Sequence, residues 1–302
     1  MSVFAPGADA FVAGGSLTPP LGAIGHLADG RWQREAVPDG PHLWWVFGTG
    51  DDVWACGAGG RVLRRRAGAW EAEPTGLGDD AVLWGLWGTP GDLWAVGGTD
   101  LPGGPRGVVL RSTGDGAWRR ILDPALPLED PDDEFAGLNL YKVWGTGPDD
   151  VHLVGEGGVA LHWDGQRFTR LDADTAEVLF TVHGQPGGPV LAVGGLTAGV
   201  VRRLDAGRWV DDGAPAAPPL NGDFVRPDGT ALVTGARGIV LERTATGAWR
   251  RLRPPADDTI GDRTLHAVFV GPDTWAVGGD LSALREGVVA TDHRPVPAWE
   301  SP

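Results

Sequence analysis

A self-similar unit of about 40 residues recurs seven times, each copy holds four short apolar stretches, and no segment sustains a helical period. These observations predict an all-β chain, a seven-bladed β-propeller of four-stranded antiparallel blades. The clearest copies are LYKVWGTGPDDVHLVGEGGVALHWDGQRF near Trp144, LWWVFGTGDDVWACGAGGRVLRRRAGAW near Trp45, LWGLWGTPGDLWAVGG near Trp87 and LHAVFVGPDTWAVGGD near Phe269. Weaker copies surround His183 and Val225, and one opens the chain as VFAPGADAFVAGG. The glycine closing each Ala-Val-Gly-like segment measures the repeat: Gly14, Gly57, Gly97, Gly155, Gly194, Gly235 and Gly278 lie 43, 40, 58, 39, 41 and 43 residues apart. The span from Gly278 round the chain ends to Gly14 is 38 residues, one more repeat, so residues 1–302 read as a single domain.

Within a unit the elements follow from residue type. The first stretch, Leu-aromatic-x-Val-aromatic, is rich in strand formers and ends at a Gly/Pro/Asp turn. The second reads Asp-Val-Trp-Ala-Val-Gly and ends at a Gly-Gly turn, the third is Val-Leu-Arg, and a turn such as Asp164-Gly165 leads to a fourth that begins at Trp or Phe. The composition then has a cause. Fifty glycines supply turns, and 15 tryptophans recur at equivalent positions. One aromatic series marks the fourth strand (Trp32, Trp70, Trp118, Phe168, Trp209, Trp249, Trp299) and another the second (Phe11, Trp54, Trp94, His152, Trp275). Both are expected to fill the wedges between twisted blades.

Charge and rare residues exclude several classes. The net charge of −15 leaves no positive face for nucleic acid or an anionic membrane. Cys56 is the only cysteine, so neither an internal disulfide nor a cysteine-based zinc cluster can form, and Cys56 reads as core. No apolar run approaches bilayer length. The N-terminal segment lacks the basic and apolar regions of a secretory signal, so a cytoplasmic address is expected. The chain is expected to act as a monomer.

The hairpin GDGAW at Gly114–Trp118 looks like a degenerate Asp-box turn, and the VWGTG…DDVHLVGEGGVALHWDG arrangement around Trp144 is similar to bacterial BNR-type repeats. The resemblance extends over essentially the whole chain and points to photosystem-assembly-factor-like propellers. It implies a fold, not an activity. The Asp-box series is not kept, since only its Trp persists in most turns. Sialidases of this architecture use an arginine triad, a tyrosine nucleophile and an acid; Tyr141 is the only tyrosine here, and no motif supports that reading.

Blade topology puts first-to-second and third-to-fourth turns on one face, where they are short and uniform. Second-to-third turns and inter-blade links lie on the other, where they are elaborated: GSLTPPLGAIG, GTDLPGGPRG, GDLSALREG and the link at 123–139. Function concentrates on such loops over a rigid scaffold, so this is the expected working face. The residue two before the recurring Val lies beside the central channel there: Trp44, Trp84, Tyr141, Phe180 and His266. This aromatic ring is a candidate site for a small molecule or a protein segment, with Trp44, Trp84, Phe180 and His42 as binding residues; packing between blades is its alternative reading.

The only tyrosine and the only lysine, Tyr141 and Lys142, fall within the ring and, with His266, are the candidate catalytic residues of an alternative reading as a lyase, cyclase or hydrolase. No local metal motif appears; His42 and His266 with Asp223 or Asp280 are the conceivable donors, and no cofactor is implied. His152 and His183 occupy slots filled elsewhere by tryptophan and read as hydrogen-bonded substitutes. The run LEDPDDEF reads as a solvated acidic lid, and the arginine pairs as edge charges that meet the acidic excess. A lectin would repeat a polar sugar clamp in every blade, and the repeats keep only Trp and Gly.

Overall fold

The structure, a computed structural model, describes residues 1–101, 104–122, 138–252, 260–280 and 285–292. The acidic run at 128–135, most of the link at 123–139, residues 281–284 and Trp299 lie outside the described residues. Six units each form a four-stranded antiparallel sheet in simple first-to-fourth order, and the seventh shows three strands, Thr264–Val270, Thr274–Asp280 and Arg285–Thr291. The first strands are Ser2–Phe4, Leu43–Thr49, Ala81–Thr89, Leu140–Gly147, Leu179–Gly184, Leu220–Val225 and Thr264–Val270. Each packs against the first strands of both neighbouring blades, and Ser2–Phe4 meets Thr264–Val270 to close the ring. The chain is a seven-bladed propeller, and these strands line its axis. Left-handed glycines make the tight first-to-second turns, as at Gly50 (φ 60°) and Gly91 (φ 82°).

The core lies between blades. Trp94 and Val109 of blade three pack on Leu140, Val143 and Leu153 of blade four, and the same arrangement recurs around the ring. Both aromatic series are wedges: Trp54, Trp94 and Trp275 of the second strands and Trp32, Trp70, Trp118 and Trp209 of the fourth are buried. The fourth-strand indoles also tie the blades together. Trp118 Nε1 donates to Glu73 Oε2 at 2.9 Å, Trp70 Nε1 donates to Glu35, and Trp249 Nε1 donates to Asp212 Oδ2 at 3.1 Å, each acid standing at the end of the preceding blade's fourth strand. Arg65, expected as an edge charge that meets the acidic excess, grips Glu35 across the seam (3.0 and 2.8 Å). Burial alone would push Glu35 up, but the hydrogen bonds from Arg65 and Trp70 and the charges of Arg65 and His26 hold its carboxyl below its ordinary value. Trp118→Phe removes a hydrogen bond to a carboxylate and keeps an aromatic ring, though a smaller one, so chemical denaturation should show a loss of about 1–3 kcal/mol.

One irregularity recurs at the axis. In six blades the first strand carries a bulge that leaves a single residue out of register: Trp44, Trp84, Tyr141, Phe180, Asn221 or His266. A bulge bends the strand and re-aims the side chain it frees. It also presses the inner backbone on the second strand, and this explains the repeat-closing glycines. A Cβ on Gly57, Gly97, Gly155, Gly194, Gly235 or Gly278 would stand 2.8–3.0 Å from the Cα of the facing first-strand leucine, and nearer still to the carbonyl oxygen before it. The glycine after the second aromatic is likewise imposed, because Trp87 lies over Gly145 and Trp144 over Gly184, each with Cη2 2.8 Å from where a Cβ would be.

Candidate functional site at the channel mouth

The bulged residues form the mouth of the axial channel on the face of the second-to-third turns. Trp84, Tyr141 and Phe180 are half-buried and make a continuous arc, with ring centroids 5.1 Å apart for the first pair and 5.5 Å for the second. Tyr141 donates its hydroxyl to Glu156 Oε1 (2.8 Å), and Asn139 Nδ2 donates to the same oxygen (3.1 Å). Burial and this carboxylate push the phenol above its ordinary value, so Tyr141 stays a donor at neutral pH. Across the mouth, His42 stands edge-on to Trp44 (4.5 Å, 87°), and His266 Nε2 meets Gly279 O at 3.3 Å. Burial, then the charge of the Met1 amino group, lowers both imidazoles, His266 to about 4.

One residue deeper, the first strands place Ser2, Trp45, Gly85, Lys142, Thr181, Gly222 and Ala267 at equivalent positions. Lys142 is buried. Its Nζ lies 3.0 Å from the centroid of the Trp45 ring and donates to Trp84 O at 3.4 Å. Gly85 makes room: a Cβ there would meet Tyr141 O at 3.0 Å and Lys142 Cα at 3.2 Å. Burial lowers the amine to about 7, against the opposing influence of Cys56 and Asp223. Asp223 fills a slot that holds Val3, Val46, Leu86, Val143, Val182 and Val268 in the other blades. Its Oδ1 accepts from Thr181 Oγ1 at 2.9 Å, while its buried Oδ2 and the neighbouring Thr234 Oγ1 have no partner. Burial raises this carboxyl to about 7, despite Thr181 and Lys142. The axis below the mouth thus holds a weakly basic amine, a weakly acidic carboxyl and spare hydrogen-bonding capacity.

The expected residues divide accordingly. Trp84, Tyr141 and Phe180 come together, as do His42 and Trp44, while Lys142 turns to Trp45 and Trp84 O and its neighbour Tyr141 to Glu156. Among the described residues, the donor trio close enough to share an ion lies away from the axis, at Asp150, His152 and His162, and the side chain of Asp280 is outside the described residues. His183 does replace an indole by hydrogen bonding, its Nδ1 accepting from Val225 N at 3.0 Å; His152 stacks on His162 (4.6 Å) with its Nε2 3.5 Å from Asp150 Oδ1. Cys56 is core, its thiol pushed up by burial. Sequence reading missed Trp45 as the lid of Lys142, and it met Asp223 only as a metal donor.

The face itself differs from blade to blade. Hairpins rise in blades one and three, where pairing continues to Leu17–Pro20 and Leu101–Gly104, while blades four and six turn back in three residues, Glu156–Gly158 and Ala236–Gly238. Among the described residues the large exposed apolar side chains are Leu17 (47%), Leu21 (38%) and Leu196 (70%), all on this face. The opposite face carries a cleft of about 420 Å³ between blades two and three, where Arg64 is already paired with Asp52.

No protein-family model and no curated protein matches the chain. Solved structures do. YCF48 bound to D1 peptide aligns over 78% of this chain and 74% of its own at 16% identity and a TM-score of 0.53, and YCF48 from Cyanidioschyzon merolae over 78% and 79% at 17% and 0.54. The WD40 propeller domain of Doa1 aligns over 97% and 92% at 9% identity and a TM-score of 0.67. The extracellular domain of the hybrid two component system BT4673 from B. thetaiotaomicron aligns over all of this chain and 41% of its own, at 13% identity and 0.65. At these identities the likeness is one of architecture, and it makes this chain a seven-bladed β-propeller similar in fold to the photosystem assembly factor YCF48.

Proposed function

We propose that this propeller is a binding module that takes an extended, apolar protein segment across the channel mouth, on the arc of Trp84, Tyr141 and Phe180. The observation that carries the reading is the placement of the exposed apolar side chains. Leu17, Leu21 and Leu196 share one face with the aromatic arc. Apolar surface gathered on one side of an acidic protein is the mark of an interaction site, and aromatic anchors dominate binding energies there. That YCF48, similar in fold, is seen with a bound peptide supports this choice of ligand. With a net charge of −15, a segment without negative charge is favoured.

Peptides from a random display library, selected on the wild-type protein, test this reading. Trp84→Ala/Phe180→Ala should weaken the selected peptides about 10-fold or more, since truncating such anchors costs about 1–2 kcal/mol or more. Equal binding to both proteins would remove the mouth as the site. A second reading, an enzyme at the mouth, draws on Lys142, whose amine at about 7 is a usable nucleophile or base. Tyr141 serves it only as a hydrogen-bond donor.

A further inference from the structure

Away from the axis, three blades build the same arrangement where the second strand begins. A carboxylate starts the strand, a ring stands two residues on, and an arginine or histidine from the third strand lies over the ring and meets the carboxylate. In blade two Arg64 binds Asp52 at 3.3 and 2.9 Å with its guanidinium 5.1 Å from the Trp54 ring. In blade three Arg111 binds Asp92 at 3.0 and 2.6 Å and lies 4.8 Å from Trp94. In blade one His26 meets Asp9 at 3.3 Å and stacks on Phe11 at 4.1 Å.

Blade four has the same opening carboxylate but puts an imidazole at both the ring position and the third-strand position. We propose that Asp150, His152 and His162 form a binding site for a divalent transition-metal ion of the zinc class, at the face opposite the channel mouth. His162 Nε2 lies 2.8 Å and His152 Nε2 3.5 Å from Asp150 Oδ1, and the three donor atoms lie within 4.8 Å of one another. Donors on a tetrahedral zinc with bonds of about 2.0–2.1 Å stand about 3.3 Å apart, so both nitrogen–oxygen spacings are within about 0.5 Å of that value. The two rings now stack 19° from parallel, 4.6 Å apart, and the adjustment that brings their lone pairs to one point falls to His162, whose side chain is 28% exposed.

His152 is the fixed donor, buried between His162 and the edge-on Trp209 at 6.1 Å. Its Nδ1 has no partner, so the ring proton can sit there while Nε2 faces the carboxylate. The Thr146 hydroxyl donates to Asp150 Oδ2 and orients the carboxylate, leaving Oδ1 towards the imidazoles. Two imidazoles and one carboxylate are a donor set for zinc, cobalt, nickel or copper rather than for calcium or magnesium. Asp150, 44% exposed, leaves the remaining coordination positions open to solvent.

Chelator-treated, dialysed protein titrated with Zn²⁺ in a calorimeter tests the site. One equivalent should bind to the wild type and raise its melting temperature. His162→Arg, which rebuilds the arrangement of blades two and three and so should keep the fold, should lower the affinity by about 100-fold or more; His162→Gln serves if the arginine variant does not fold. His26→Gln, at the corresponding place in blade one, should bind as the wild type does. No zinc uptake by the wild type, undiminished uptake by the His162 variant, or loss of uptake in His26→Gln would each overturn the assignment.

Discussion

Gly194→Ala is expected to destabilise the protein by about 3 kcal/mol or more, measured by chemical denaturation. One methyl group has so large an effect because of where the bulge sets the inner strand. The added Cβ would stand 2.8 Å from Leu179 Cα and closer still to Val178 O, both backbone atoms of the paired strand. A side chain could rotate away, but a hydrogen-bonded backbone beside the axis can only move with its blade. Gly147→Ala is the control, because nothing lies within 4 Å of a Cβ there and its φ is not left-handed. That substitution should change stability by less than about 0.5 kcal/mol. Equal effects at the two positions would mean that the repeat-closing glycine is not imposed by the bulge.

The second large effect has the opposite sign. Lys142→Met combined with Asp223→Val is expected to raise stability by about 1–4 kcal/mol, as when buried ionisable groups give way to apolar side chains. Valine is what five other blades carry at the position of Asp223. The loss of the Thr181 hydrogen bond offsets about 1 kcal/mol of the gain. The effect also has a pH signature. Asp223 is raised from its unfolded value near 4 to about 7, so the fold favours its neutral form. Its contribution is therefore most favourable below about pH 4 and is lost as pH rises through about 7. Lys142 is lowered to about 7, so the fold favours the uncharged amine, and its cost grows as pH falls from about 10.5 to about 7. The advantage of the double variant should grow from pH 4 to 7 and shrink again above it. A variant less stable than wild type at pH 7 would show that the contacts of Lys142 with Trp45 and Trp84 O and of Asp223 with Thr181 outweigh the cost of burying the two groups.

What the sequence disclosed and what it hid divide along physical lines. Blade number, turn positions and wedge aromatics depend on local chemistry repeated at a fixed period, so Trp94 and Trp118 could be placed in the core from their spacing alone. The mouth residues were also legible, because Trp84, Tyr141 and Phe180 share one offset from the recurring Val or its Leu86 equivalent. The bulge that frees them was not, since it is a matter of register between strands and leaves no residue signature. Lys142 meeting Trp45 was hidden for another reason. The two lie 97 positions apart in sequence, in blades two and four, and between those blades comes Gly85 of blade three, where a Cβ would press on Tyr141 O and Lys142 Cα. Asp223 was readable in principle as a carboxylate in an apolar slot, though only after the weaker copy around Val225 is aligned on its closing glycine. His162 is the same kind of signal, an imidazole where blades two and three have arginine.

The binding reading stands most directly on one measurement, backbone hydrogen exchange of the wild-type protein with and without a peptide selected on it. Protection should appear at residues 138–142, 176–181 and 195–199, which carry Tyr141, Phe180 and Leu196, and exchange should stay unchanged at the short turns 49–52, 90–92 and 147–150. Protection confined to those short turns, with the mouth exchanging as in the free protein, would contradict it.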